Sequence, residues 1–170
     1  MFDLSFATQI LEEVGAQLFA QEWFADGWIV SVHPFPSAPA TPECITLHVF
    51  RNNWFNNDRQ GIHFETFIGE REWTNKKVSL AMHIFHTPFV GDTKIARRDV
   101  ARPFVDQIHD TVASWPGYKF RAGKYGAHPF TKMVVLDDSL HQAELTREIA
   151  RLCLHLGPEM ERVLAKVLNQ

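Results

Sequence analysis

The chain has 170 residues, 45% of them hydrophobic and 22% charged, with 14 Phe and 5 Trp. That balance excludes a disordered chain, and the length suffices for one core without disulfides or a structural metal, so the expectation is a single globular domain over residues 1–170. A net charge of −3 excludes a global electrostatic pull toward nucleic acid or an anionic membrane.

The two cysteines, Cys44 and Cys153, form no CxxC pair, which excludes a disulfide framework and a cysteine zinc site. Free thiols suit a reducing compartment. The first twenty residues lack the basic segment of a secretory signal, and Asp3, Glu12 and Glu13 interrupt their apolar stretch. No window approaches 18 uninterrupted apolar residues. A cytoplasmic location is the expectation.

Residues 4–24 read as an amphipathic helix, with Phe6, Ile10, Val14 and Leu18 at four-residue spacing and Asp3 or Ser5 as cap. Gly27 ends it, and Trp28–His33 is a β-branched run. Pro34, Pro36, Pro39 and Pro42 make the next segment a long connection. Three strands with period-two patterning follow. Ile45, Leu47 and Val49 share a face of the first, Ile62, Phe64, Thr66 and Ile68 of the second, and Val78, Leu80, Met82 and Ile84 of the third. The links at Asn52–Asp58 and Glu70–Lys76 are too short for parallel crossovers, so the pairing is antiparallel. After a loop at 87–93, a helix is expected within 94–115, most securely after Pro103, with Phe104, Ile108, Val112 and Trp115 as its stripe. Tyr118–Arg121 and Phe130–Leu136 read as a second hairpin. Asp137-Asp138-Ser139 is expected to cap a helix with the stripe Leu145, Ile149, Leu152 and Leu156. Gly157-Pro158 should break it, leaving a last short helix with Met160, Val163, Leu164 and Val167. The order α-ββββ-α-ββ-αα is an α+β layout: an antiparallel sheet of five to six strands with helices packed on one face.

Three of the nine histidines recur in one setting: Leu47-His48-Val49, Ile62-His63-Phe64 and Met82-His83-Ile84. By the period of two, all three point away from the aliphatic face. Hairpins symmetric about their loops would pair His48 with His63 and His63 with His83, about 5 Å apart at Cα. A two-residue slip would stagger this row without changing its face. Glu65 falls one pair along, near Thr46 and Ala81, and Phe50, Phe67 and Phe85 share the face.

Such a face has three readings. It is an ordinary half-buried surface, or a contact surface for a protein partner or a second copy of the chain. Alternatively, His48, His63 and His83, with Glu65 as ligand or base, hold zinc or another transition metal. Trp54 and Phe55, on the Asn52–Asp58 loop, are further contact candidates. Trp73 in the next turn has the same reading. His33, His86, His128 and His141 are expected on loops or edges, and His109 on a helix surface. Arg121 and Lys124, beside Gly123 and Gly126, are candidate anion ligands, although no Walker loop is present. Lys94, Arg97, Arg98 and Arg102 form a second basic cluster. It lies within residues 46–135, which carry 13 basic against 8 acidic side chains, whereas residues 1–45 carry six acidic and no Lys or Arg. No GxSxG elbow or GxGxxG turn is present, and no catalytic residue is assigned.

The succession of elements is loosely similar to that of small α/β secretion-chaperone folds, which mix three helices with a five-stranded antiparallel sheet. The likeness is architectural and rests on no shared motif. The early strand, the split last helix and the milder acidity depart from it. The first expectation for function is a non-catalytic binding protein of chaperone, immunity or regulatory-subunit type, without a cofactor. The alternatives are a small metal-dependent hydrolase built on the histidine row, and a nucleic-acid-associated factor using the basic middle third.

Overall fold

The structure, a computed structural model, describes residues 2–35, 44–55, 61–86, 89–90, 93–136 and 141–169. Helix α1 spans Leu4–Phe19, and Asp3 caps it by accepting hydrogen bonds from the Ser5 and Phe6 amides at 2.9 and 3.2 Å. It ends sooner than its periodicity suggests, because a separate 3₁₀ turn, Glu22–Ala25, carries the chain to Gly27. Its buried stripe is Ala7, Ile10, Leu11, Val14 and Leu18. Phe6 lies outside this stripe, exposed and edge-on to Trp73 at 5.5 Å.

Strands β1 (Trp28–Pro34), β2 (Cys44–Arg51) and β3 (His63–Gly69) follow. The expected turn at 70–76 is a short helix, α2 (Glu70–Asn75), closed by Lys76 in the left-handed region at φ 52°. Then come β4 (Lys77–His83), a small hairpin of β5 (Phe89–Val90) and β6 (Thr93–Lys94), and α3 (Arg97–Ala113). Pro103 sits inside α3 rather than in its first turn, while Phe104, Ile108 and Val112 are buried as their spacing predicts. Strands β7 (Tyr118–Phe120) and β8 (Phe130–Val135) form the second hairpin. Helix α4 runs unbroken over His141–Leu168. The expected break at Gly157-Pro158 does not occur, because the buried stripe continues across it through Leu156, Met160, Val163 and Leu164. The caps expected at 137–139 and most of the proline-rich connection lie outside the described residues.

The fold is α+β: a six-stranded antiparallel sheet in the order β1-β2-β3-β4-β8-β7. Alternation sends Ile45, Leu47, Val49, Phe64, Ile68, Val78 and Leu80 to one side, where they form the core with the apolar stripes of α1, α3 and α4. This core also holds a charge cluster. Glu148, 1% exposed, receives Lys132 Nζ at 3.0 Å, Arg151 at 3.1 Å and the Tyr118 hydroxyl at 3.1 Å. Among the described residues no helix is long and apolar enough to cross a membrane.

Two contact candidates belong to the core instead. Trp54 is fully buried against Trp28 and Phe64, and its indole N–H donates to Glu161 at 2.5 Å. An indole gains more from apolar burial plus one hydrogen-bond acceptor than from exposure on a polar loop. Phe85, 2% exposed, is likewise a core side chain. Cys153 is buried as expected of a small apolar residue, and burial raises its thiol pKa.

Candidate functional site: an imidazole-lined cavity

The sheet's other face carries the histidines. His63 pairs with His83 across β3 and β4, as loop symmetry predicts. Across β2 and β3, however, His48 faces Glu65, a two-residue slip. Its cause is the loop after β2. Trp54 turns inward, its amide bonding the Arg51 carbonyl at 3.0 Å and its own carbonyl accepting from Ile62 at 3.1 Å, so the loop is not symmetric. The slip leaves the face unchanged and staggers the rings. His48 and His63 stack at 3.8 Å between centroids, and His63 and His83 at 4.6 Å.

Three more histidines join them. His33 on the edge strand β1 meets His48 edge-on at 4.6 Å. His86 and His128 lie on loops, with rings 4.7 and 5.1 Å from His83. His128 is brought there by the β7–β8 loop, where the Ala127 carbonyl accepts from the Ile84 amide at 2.7 Å. His86 is held by Arg97, whose Nε donates to the Phe85 carbonyl at 2.6 Å and whose Nη2 lies 3.2 Å from His86 Nδ1. The pairing of β4 with β8 holds the missed signal. Residues summing to 212 face one another there, so His128 and Pro129 come opposite the end of β4.

His48, His63, His83, His86 and His128 line a cavity of about 520 Å³, together with Phe35, Cys44, Thr46, Glu65 and Phe67. Glu65 is its centre. Its Oε1 accepts from His128 Nε2 at 2.9 Å and its Oε2 from His63 Nε2 at 3.2 Å, with His48 Nε2 at 3.7 Å. His48, His63 and Glu65 offer ligand atoms that all lie within 4.8 Å of one another. His48 is 1% exposed, and neither of its ring nitrogens has a hydrogen-bond partner among the described residues.

The electrostatics keep this set ready for a cation. Burial, then repulsion from His63, pushes the His48 pKa down to about 2 against the pull of Glu65. The same causes, in the same order, push His83 down to about 3. Burial opposes ionisation of Glu65, but hydrogen bonds from His128 and His63 outweigh it and hold its pKa well below the usual carboxylate range. The result is a carboxylate in a cavity where His48 and His83 stay neutral, protonation states that suit a transition metal. Burial chiefly raises the Cys44 thiol pKa, assisted by Glu72 and opposed by the Thr46 hydroxyl.

The other candidates lie elsewhere. Phe50 and Phe55 are half-buried against the core, and Trp73 packs with Phe2 and Phe6. Lys124 lies over the Tyr125 ring at 5.2 Å, and Arg121 is exposed. Arg97 is bonded to the Phe85 and His86 segment. Lys94, Arg98 and Arg102 instead line a groove with Arg162 and Lys166 between α3 and α4, where Asp99 and Glu159 pair with Arg98 and Arg162. His109 stacks on Phe120 at 4.8 Å. No protein-family model matches this chain, and no curated protein or solved structure matches it.

Proposed function

We propose that this protein binds a divalent transition metal, zinc by its donor set, through His48, His63 and Glu65, and acts as a small metal-dependent hydrolase. The carrying observation is the convergence of these three donors within 4.8 Å on the wall of a cavity. Two imidazoles and one carboxylate form a zinc ligand set that leaves a coordination position for water, and a metal-bound water is a nucleophile near neutral pH. The unpartnered nitrogens of the buried His48 support the reading, since a neutral buried imidazole without hydrogen bonds is costly unless a ligand satisfies it. Phe35 and Phe67 give the cavity an apolar side, and its volume suits a small substrate rather than a polymer.

A protein-binding role through the same face has less support. His48, His63 and His83 are 1–4% exposed, too recessed for a partner surface to reach. Metal analysis of untagged protein is the test. The expected result is stoichiometric zinc, removed by chelator and absent in His48→Ala and His63→Ala. Wild-type protein that takes up no zinc at micromolar free metal refutes the reading.

A further inference from the structure

We propose that the groove between α3 and α4 is a binding site for a small organic polyphosphate, whose phosphates are held by Lys94, Arg98, Arg102, Arg162 and Lys166. Among the described residues it shares no lining side chain with the histidine cavity, and it stands whether or not a metal binds there.

The groove encloses about 680 Å³, within the range of small-ligand sites. Five cationic side chains line it against two carboxylates, Asp99 and Glu159, in a chain whose net charge is −3. Both carboxylates are already engaged, Asp99 with Arg98 at 3.6 Å and Glu159 with Arg162 at 2.7 Å. Among the described residues Lys94, Arg102 and Lys166 make no ion pair. The Arg102 guanidinium lies over the Tyr125 ring at 5.4 Å.

Four of the cations form two rows. Arg98 and Arg102 are four residues apart on α3, and Arg162 and Lys166 four apart on α4, so each pair is spaced about 6 Å along its helix. Like charges at this spacing repel and weaken a helix. The two helices pack on each other, so both repelling pairs border one groove and raise a positive potential within it. An anion with several charges, lying between the rows, relieves both repulsions at once. Arginine favours phosphate among such anions, because the phosphate oxygens match the paired N–H donors of a guanidinium. The apolar part of the lining is Ile95, Pro103, Val163 and Val167. It offers nothing to a bare inorganic ion but accommodates the carbon body of a phosphate ester. An extended nucleic-acid strand fits less well, because among the described residues the groove presents no aromatic ring for base stacking.

Isothermal titration calorimetry tests this on untagged, metal-free full chain, without divalent ions, using tripolyphosphate and adenosine triphosphate. One site per chain is expected for each, with adenosine triphosphate the tighter, and both affinities should fall as sodium chloride is added. Arg102→Gln and Lys166→Gln should each weaken binding by about tenfold or more. Both side chains are exposed and each belongs to a repelling pair, so the variants should melt no lower than the wild type. Lys77→Gln, which removes an exposed charge on β4 outside the groove, should bind as the wild type does. Equal weakening in Lys77→Gln would show diffuse attraction and overturn the site, as would full binding in Arg102→Gln and Lys166→Gln, or no binding at millimolar ligand. Equal affinities for the two probes would overturn the role of the apolar lining. A mixed single-stranded oligonucleotide that displaces both at lower concentration would overturn the small ligand in favour of a nucleic acid.

Discussion

His48 and His83 are buried imidazoles that resist protonation in the folded chain, with pKa values near 2 and 3 against an ordinary 6.5. Once unfolded, both regain the ordinary value. Below pH 6.5 the unfolded chain therefore binds protons that the folded chain refuses, and stability falls as pH drops. The slope approaches about 1.4 kcal/mol per pH unit for each imidazole. Glu65 adds to this only in stronger acid: its folded pKa is depressed, so its contribution is present above the ordinary 4.5 and is lost as pH falls toward the folded value. In metal-free protein the urea midpoint should be clearly lower at pH 5 than at pH 7, and His48→Gln should flatten the difference. Equal midpoints at the two pH values would contradict this account. The face of each histidine was legible from the sequence, because a strand's period of two leaves no freedom. The pairing of His48 was not, because Trp54 folds inward and makes the loop asymmetric. His128 was missed because its place depends on β8 joining β4, a contact between segments some fifty residues apart.

Helix α4 shows how packing overrides a local signal. Gly157 and Pro158 read as a stop, and a proline inside a helix forfeits the hydrogen bond to the carbonyl four residues earlier. The helix continues because both sides of the pair are anchored in the core, through Leu152 and Leu156 before it and Met160, Val163 and Leu164 after it. Gly157 is required by contact rather than by backbone angle. A Cβ there would lie 2.7 Å from Trp28 Cζ2. Alanine is the better helix former by about 1 kcal/mol, yet overpacking costs about 1–3 kcal/mol. Gly157→Ala should therefore destabilise the protein, whereas Pro158→Ala, on the exposed side, should stabilise it by up to about 3 kcal/mol. Chemical denaturation of the two variants measures both, and a Gly157→Ala variant more stable than wild type would show that Trp28 yields easily. The strands and the stripes of α3 and α4 were legible as elements, since each carries one unbroken apolar period. The end of α1 and the persistence of α4 were not, because tertiary burial decides them.

The whole molecule has two unlike sides: a sealed aliphatic core under three helices, and a histidine-lined cavity on the opposite face of the same sheet. The α+β layout and the antiparallel pairing followed from short links and alternating strands, but the buried Lys132–Glu148 cluster had no signature in either segment alone. A ligand held on the second face stabilises the whole cooperative unit. Zinc at a hundredfold excess over its dissociation constant should add about 2.7 kcal/mol, which for a chain of this size raises the melting temperature on the order of 5–10 °C. Differential scanning fluorimetry with and without chelator measures the rise, and His48→Ala should abolish it. Helix α4 has one more consequence. Its 28 residues reach about 42 Å, and it packs against both α1 and α3 as well as β3 and β8. During translation residues 141–168 leave the ribosome after every segment they cover. The nascent sheet must wait with one greasy flank open to water, and a transcript truncated before residue 141 would yield an insoluble fragment rather than a smaller working protein.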